Sequence, residues 1–442
     1  MTETAPAAKL GPIYLGFGIT RGNGVALLIA GFLLGIVSPF INFAQPYILT
    51  EHLGIPGNQQ GGVSGDLAFW AEIVLISVAG LMGAWSDKSG RRIVFAFGFV
   101  MVAISYALYP IATSYSELLG YRLIFAVGMA AVGAMFVATQ AEYPADRSRG
   151  KLVGLMGVIS ILGVMFVVAV LAPLPARFAG GGASAIEAGS YTYWAAAAIS
   201  LVGVAVVWLG MAKRKPSGNS EASIWQRLSA GIGAARHNPR IALAYGAAFI
   251  GRTDLAIVVV FLPLWVTQAG RAQGLTTEDA LVQAGVLFGV IQIAALVFAP
   301  VMGWIVDRIT RVAAMGVATG FAMLGYFWIG LLDQPLGAQA YPAAVVMGIG
   351  QVSAILAATA LLGQEATAES TGSVSGAFNV FGAIGILFST KVGGMLFDAW
   401  MPGAPFLITG ALNGVILAVV IIMIWKGLSK PASPPAVDQP PA

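Results

Sequence analysis

A short polar sequence occurs twice in this otherwise apolar chain of 442 residues. The first copy is MGAWSDKSGRR, residues 82–92, and the second is MGWIVDRITR, residues 302–311. Both fit Met-Gly-x-x-x-Asp-Lys/Arg-x-x-Arg, and the second copy begins 220 residues after the first (302 minus 82). Each copy separates two long apolar stretches. This duplication predicts two structurally equivalent halves that are built from membrane-spanning segments.

The composition places most of the chain in a membrane. Hydrophobic residues make up 58% and charged residues only 10%, whereas a soluble domain carries about 25% charged residues. The chain has no cysteine, which excludes disulfides and thiolate metal sites, and both histidines, His52 and His237, are predicted in loops. We therefore predict no metal and no cofactor. Basic residues are scattered among the loops rather than gathered in a patch, so no nucleic-acid partner is expected.

Twelve apolar segments are long enough to cross a bilayer, which requires about 20 residues each. The predicted fold is therefore an all-α membrane protein with twelve transmembrane helices, and the lipid bilayer is its first partner. The segments lie near residues 24–50, 64–86, 92–112, 117–141, 151–174, 191–212, 241–268, 280–306, 312–332, 339–362, 372–397 and 404–426.

The distribution of lysine and arginine predicts the orientation of these segments. If the N-terminus is cytoplasmic, 18 of the 23 basic residues lie on the cytoplasmic side and only Arg177 and Arg271 lie outside. Cytoplasmic loops of membrane proteins are enriched in basic residues. The sequence therefore predicts cytoplasmic N- and C-termini in a plasma membrane, specifically a bacterial inner membrane.

The longest polar connection, residues 213–240, divides the segments six and six. Matched positions support the repeat, among them Pro46 with Pro263 and Gly163 with Gly385. We predict two pseudo-symmetric six-helix halves that are joined by a cytoplasmic central loop, with a cytoplasmic N-terminal segment and a disordered tail rich in proline and alanine. In chain order, the five parts are residues 1–23, 24–212, 213–240, 241–427 and 428–442.

Several motifs resemble the major facilitator superfamily of transporters. The superfamily's loop after helix two, Gly-x-x-x-Asp-x-x-Gly-Arg/Lys-Arg/Lys, is matched by Gly83, Asp87, Gly90, Arg91 and Arg92. Its weaker copy after helix eight is matched by Gly303, Asp307, Arg308 and Arg311, with Thr310 in place of the second glycine. Tyr121-Arg122-Leu123 resembles the helix-four arginine motif. The resemblance covers about residues 20–427.

This resemblance implies the superfamily's fold, with two six-helix halves that give alternating access to a central site, and we predict a monomer. It also implies that the two loop motifs set the inward–outward equilibrium. Asp87 lies at a helix end beside cations, where a carboxylate can hold a neighbouring helix through charge-assisted hydrogen bonds. The alternative is that Arg91 and Arg92 only anchor the loop at the cytoplasmic surface.

Two charged residues, Arg252 and Asp254, fall near the middle of the seventh segment. A charge that faces lipid costs several kcal/mol, so both should face a cavity or a partner. Residues two apart on a helix are separated by about 200°, so these two should have different partners. We predict that one contacts the solute and the other a neighbouring helix, and a structural ion pair in the bundle is the alternative.

Three further charged residues lie within the segments. Glu72 is a candidate proton carrier because burial disfavours a charged carboxylate; a hydrogen-bonded structural acid is the alternative. Arg122 matches the superfamily's arginine motif, which implies a role in proton coupling or solute attraction, although its position also allows it to reach the membrane surface. Lys391 either reaches the surface in the same way or lines the cavity.

Five amide side chains are candidates for lining a solute cavity, because an amide offers both hydrogen-bond donors and an acceptor. The alternative for each is a contact between neighbouring helices. They are Asn42, Gln45, Gln292, Gln351 and Asn379.

We predict secondary active transport of a small organic solute. No Walker loop and no hydrolase pattern is present, so direct use of ATP and an enzymatic activity are not expected. The buried acids Glu72 and Asp254 favour coupling to protons, and the three intramembrane cations favour an anionic or carboxylate-bearing solute. Efflux of amphipathic drugs by proton antiport is an alternative. Drug antiporters of the superfamily that this chain resembles often carry a Gly-Pro pair in helix five, and the fifth segment lacks that pair, which disfavours this alternative. A non-transporting membrane scaffold or assembly factor is the alternative from another class.

Neutralising Asp87 separates a transporter from a scaffold. In Asp87→Asn, we expect solute flux in proteoliposomes to fall while the protein stays folded, because the loop loses the charge that holds the neighbouring helix. Flux and thermal unfolding are measured together. If Asp87→Asn matches the unsubstituted protein in both solute flux and thermal unfolding, the scaffold alternative is favoured.

Overall fold

The computed structural model describes residues 8–213, 224–366 and 370–429. Twelve helical spans in this part are long and apolar enough to cross a membrane, which confirms the predicted fold class. We number them α1 to α12. They are Arg21–His52, Gly57–Ser89, Arg91–Ile111, Tyr115–Glu142, Asp146–Gly180, Ala185–Gly210, Pro239–Ala272, Thr277–Arg308, Arg311–Gly330, Ala340–Glu365, Thr371–Ala399 and Ala404–Trp425.

Two of these spans contain irregular turns, and the connections contain further structure. The α-helix of α1, Arg21–Phe43, is followed by a π-helical turn, Ile48–His52, and α5 contains a second such turn, Val167–Leu171. Before α1, strands β1 (Lys9–Leu10) and β2 (Ile13–Tyr14) pair in an antiparallel hairpin.

The central connection is more ordered than the sequence predicts. Residues Ile224–His237 form a helix, here called the linker helix, within the predicted loop 213–240. Both histidines therefore lie at helix ends rather than in loops: His52 ends α1 and His237 ends the linker helix. Residues 1–7, 214–223 and 430–442, which include most of the predicted disordered tail, lie outside the described residues.

The start of α2 is seven residues earlier than predicted, at Gly57 instead of residue 64. The added residues, GNQQGGV, are polar and rich in glycine, so hydropathy does not mark them as membrane-spanning. They are stabilised by contacts with α11: the Gly61 and Gly62 N–H groups donate to the Asp398 carboxylate, at 2.9 and 2.6 Å. Tertiary contact rather than local propensity therefore sets this helix end.

Close helix contacts in the two bundles occur at matched glycines. A Cβ added at Gly163 on α5 would lie within 3.0 Å of the Phe32 carbonyl oxygen on α1. A Cβ added at Gly385 on α11 would meet the Phe249 carbonyl oxygen on α7 in the same way. These positions are 222 residues apart (385 minus 163), so the sequence repeat coincides with one repeated contact, the fifth helix of each half on its first.

The bundle has two ends that differ in their contacts. We call the end with the 88–92, 142–149 and 308–311 connections the basic end, and the end with the start of α2 and the last turns of α7 and α11 the sealed end. In the described part of the chain, the side-chain hydrogen bonds and ion pairs that join α1–α6 to α7–α12 lie towards the sealed end. The two halves are therefore held together at one end.

The matched glycine contacts give a stability prediction. Gly163→Ala and Gly385→Ala should each lower the free energy of unfolding by about 1–3 kcal/mol, because a methyl group meets fixed backbone. Gly154→Ala and Gly376→Ala lie on the same two helices with nothing within 4 Å of the added Cβ, so they should be neutral or slightly stabilising. Thermal unfolding in detergent measures all four variants, and equal effects in both pairs would contradict the close contact.

Candidate solute cavity

A cavity of about 430 Å³ lies between the two halves. Its walls come from α1, α2, α4 and α5 on one side and from α7, α8 and α11 on the other. Most of its lining is aliphatic or aromatic, including Phe125 from α4 and Phe288 from α8. A site shared by two halves, with few polar groups on apolar walls, has the general form of a small-molecule site.

Arg122 is the most deeply buried charged residue of the cavity lining, at 3% exposure. It projects from α4, and its Nη2 donates a hydrogen bond to the Asn42 side-chain oxygen on α1. Its guanidinium carbon also lies 5.5 Å from the centre of the Phe125 ring. Nε and Nη1 are buried without a well-formed hydrogen bond, although the Tyr109 hydroxyl lies close enough to interact with the guanidinium, and no ion pair involves this arginine among the described residues. Arg122 therefore does not reach the membrane surface, and part of its hydrogen-bonding capacity is unused.

Arg252 and Glu72 bring the other two charges to the lining. Arg252 comes from α7 and is exposed in the cavity, whereas Glu72 comes from the middle of α2 in the other half. Neither forms an ion pair within 4.0 Å among the described residues, although the Arg252 charge acts on Glu72. With Arg122, the lining therefore carries two cations and one acid, one cation from each half.

Asp254 lies on the opposite side of α7 and outside the cavity. It is fully buried, and Asn413 on α12 donates a hydrogen bond to its Oδ1 at 2.9 Å. Its backbone carbonyl oxygen accepts hydrogen bonds from the Tyr326 hydroxyl at 2.8 Å and from Gln351 Nε2 at 3.3 Å. All these partners belong to the second half. Oδ2 of Asp254 and Oδ1 of Asn413 have no partner.

The amide candidates divide in the same way. Asn42 and Gln292 line the cavity. Gln45 is buried beside it, where it accepts a hydrogen bond from the Tyr109 hydroxyl at 3.2 Å. Gln351 contacts the Asp254 backbone, and Asn379 is exposed on α11 away from the lining. The structure thus assigns two of the five to the cavity and two to helix contacts.

Three hydroxyl side chains in the lining were not among the predicted candidates: Ser38, Ser160 and Thr390. Ser38 lies four residues before Asn42 on α1, so the two share one face of the helix. That spacing was available in the sequence. For Ser160 and Thr390 no comparable signal exists, because serine and threonine in a membrane helix commonly bond to their own backbone.

Lys391 forms an ion pair rather than lining the cavity. Its Nζ lies 2.5 Å from Asp66 Oδ1 on α2, across the boundary between the halves. Towards the sealed end, Gln268 at the end of α7 donates to the Gly57 carbonyl oxygen at 2.9 Å. A Cβ added at Gly65 would lie within 3.0 Å of the Thr390 carbonyl oxygen. Polar contacts and direct backbone contact therefore close the cavity on this side.

The two loop motifs form ion pairs only within their own halves. Asp87 and Glu142 both bind Arg91, each at 2.8 Å. In the second copy, Asp307 lies 3.7 Å from Arg311. Two further cations of the motifs lie over tryptophan rings: Arg92 over Trp208 at 4.5 Å and Arg308 over Trp304 at 4.8 Å.

The motif glycines have different surroundings. Gly83 and Gly303 have nothing within 4 Å of an added Cβ. Gly90 has a φ of 94°, a conformation that favours glycine, at the sharp reversal between α2 and α3. At the basic end, the motif residues described here therefore do not hold the two halves together.

Residues 27–390 match the sequence profile of the Major Facilitator Superfamily. The magnetosome protein MamH of Paramagnetospirillum magneticum (strain ATCC 700264 / AMB-1) is 27% identical over 410 residues, which cover 91% of this chain and 92% of that protein. Its name specifies no solute.

Solved structures of transporters share the fold. The crystal structure of the nucleoside transporter NupG aligns with a TM-score of 0.70 at 16% identity, over 90% of this chain and 98% of that one. The inward open conformation of the xylose transporter XylE from E. coli aligns with a TM-score of 0.68 at 16% identity, over 92% and 96%. At this identity the likeness shows the fold alone. The twelve apolar helices and the family match indicate a multi-pass membrane protein.

The Asp66–Lys391 pair gives a conformational prediction. Asp66→Asn should raise the population with an open sealed end by about 1.4- to 5-fold, because a partly exposed ion pair contributes about 0.2–1 kcal/mol. Since the chain lacks cysteine, spin labels at Asn58→Cys and Arg271→Cys can report the distance between the halves by pulsed electron paramagnetic resonance. Glu117→Gln is the control, because Glu117 accepts hydrogen bonds only from Thr113 in its own half. An unchanged distance distribution in Asp66→Asn would contradict the role of this pair.

Proposed function

Because the chain belongs to the major facilitator superfamily, we propose that it is a proton-coupled secondary transporter of a small organic anion. The solute binds in the cavity between the halves, and the halves rock about it to give alternating access. The observation that carries the choice of an anion is Arg122, a buried guanidinium that has two nitrogens without a hydrogen-bond partner and no ion pair within the described part of the chain.

The energetics of Arg122 favour an anionic ligand. A buried cation is destabilising unless it is paired and hydrogen-bonded, and a carboxylate matches the planar guanidinium in both charge and geometry. Asn42 compensates only part of this cost, because a neutral amide supplies one acceptor and no charge. An anion in the cavity would supply the negative charge and the hydrogen-bond acceptors that Arg122 lacks. Arg252 would attract this anion from the opposite half.

Glu72 is the better candidate for the proton carrier, and Asp254 is the weaker one. Glu72 faces the cavity between the halves, so rocking changes its neighbours and its access to water. Asp254 has its hydrogen-bond partners in the second half alone. A rigid-body motion of that half leaves the surroundings of Asp254 unchanged, and a group that sees no difference between two states cannot couple to them.

The proposed orientation puts the basic end in the cytoplasm of a bacterial inner membrane. The excess of lysine and arginine in the connections at that end supports it. The described contacts between the halves then lie on the outer side, and the structure corresponds to a carrier that is closed to the outside. In this state the Asp87 and Asp307 motifs hold their own loops, and they become contacts between the halves when the basic end closes.

Proton flux in proteoliposomes with a trapped pH dye tests this proposal. A panel of organic anions, sugars, amino acids and cationic drugs is offered, and we expect only anions to drive proton movement. Arg122→Gln should lower that flux about 30-fold or more, because loss of one partner of a buried charge pair costs about 2–5 kcal/mol. Cationic drugs that drive proton exit would contradict the proposal and support efflux.

The two acids are separated by matched neutral variants. Glu72→Gln should abolish solute-driven proton flux but leave exchange of labelled solute for unlabelled solute, because only the proton site is lost. Asp254→Asn should keep both activities, since an asparagine can still accept the hydrogen bond from Asn413 and can donate one to its free oxygen. If Asp254→Asn abolishes proton flux and Glu72→Gln keeps it, the proton carrier is Asp254 instead of Glu72.

A further inference from the structure

The cavity presents one guanidinium from each half, and neither has an acid partner. Arg122 on α4 and Arg252 on α7 both line the same space, and no ion pair is formed by either in the described part of the chain. We infer that the solute is a dicarboxylate that places one carboxylate on each of these two arginines. This inference rests on the proposed function and specifies its substrate class.

The charge of the loaded cavity favours two negative groups. With Glu72 ionised, the three charged lining residues sum to one positive charge; with a proton on Glu72, they sum to two. Charges inside a low-dielectric cavity interact far more strongly than in water. When proton and solute travel together, a dianion therefore leaves the site neutral, whereas a monoanion leaves a positive charge uncompensated.

The position of the two arginines on separate halves links binding to closure. A carboxylate on Arg122 alone contacts only the first half, and one on Arg252 alone contacts only the second. A solute that binds both arginines adds attraction between the halves. It therefore interacts differently with the open and closed arrangements of the halves, which a ligand must do to shift a conformational equilibrium. Arginine suits this role because its planar fork binds carboxylate at a defined angle.

The apolar walls of the cavity suit the hydrocarbon chain between two carboxylates. Its volume of about 430 Å³ lies in the range of small-molecule sites. The apolar rings of Phe125 and Phe288 lie in the lining, where they can cover the methylene groups of such a chain. A neutral or cationic amphipathic solute offers no charge complement to these two cations.

The charged groups around Glu72 come from each neighbouring helix. Arg122 on α4 and Arg252 on α7 line the same cavity, and on α11 the nearest charge is Lys391, which is neutralised by Asp66. A proton on Glu72 therefore removes the negative charge of this acid from the lining and leaves the two arginines there as the charged groups. Dianion binding should tighten as the pH falls within the range in which both carboxylates of the solute stay ionised.

Binding to the purified full-length protein tests the substrate class. Succinate and glutarate are compared by calorimetry with their monoamides, succinamate and glutaramate, which keep the size and lose one charge. We expect at least tenfold tighter binding of the dicarboxylates, and tightening at lower pH that disappears in Glu72→Gln. Arg252→Gln should remove the preference for two charges, while Arg271→Gln, outside the cavity, should preserve it.

The outcomes separate this inference from the proposed function. If the monoamides bind and drive proton flux as well as the dicarboxylates, the dicarboxylate inference is wrong and anion transport stands. If neither class binds and no anion in the panel drives protons, both fail. Should Arg252→Gln misfold, Arg252→Lys keeps the charge without the fork, and it should weaken dicarboxylates more than monoamides.

Discussion

The cost of an uncompensated buried charge governs the polar groups in this structure. In lipid or in a packed bundle, such a charge requires a partner, and removal of the partner is strongly destabilising. Lys391 meets this requirement with Asp66, across the two halves. Among the described residues, neither the buried Arg122 nor the exposed Arg252 forms an ion pair, and both line the cavity. Under the proposed function, these two cations are the groups that an anionic solute would pair with.

The fold was predictable because the bilayer imposes a simple rule on sequence. Each span needs about 20 apolar residues, and the structure confirms all twelve. Helix ends were less predictable where tertiary contacts set them. The polar start of α2 becomes helical because Asp398 binds its backbone, and that partner lies more than 300 residues away in the chain. No local pattern around Gly57 carries this information.

The candidate site was predictable in its residue types and less so in its geometry. Helical spacing places Arg252 and Asp254 on different faces of α7, but it does not say which face meets the cavity. The orientation of α7 depends on the packing of α12, where Asn413 donates a hydrogen bond to Asp254 and keeps it among the helices of the second half. The ion pair of Lys391 was not predicted, because its acid partner, Asp66, comes from the other half and no local pattern links the two. The positions of Glu72 and Arg122 were more predictable, because they follow from the places of these residues along regular helices in two packed halves.

The linker helix has a consequence for how the two halves are joined. Gly231 in this helix lies directly against α11, where an added Cβ would clash with the Ser373 backbone, and its carbonyl oxygen accepts the Tyr245 hydroxyl of α7 at 2.9 Å. The linker helix therefore packs on the second half, and the chain between residues 213 and 224 is its covalent link to the first half. A covalent link raises the effective concentration of one half near the other, but it does not determine which surfaces come together. Scission within this stretch would therefore make assembly depend on protein concentration, while the contacts that define each half and the sealed end would remain encoded in the two fragments.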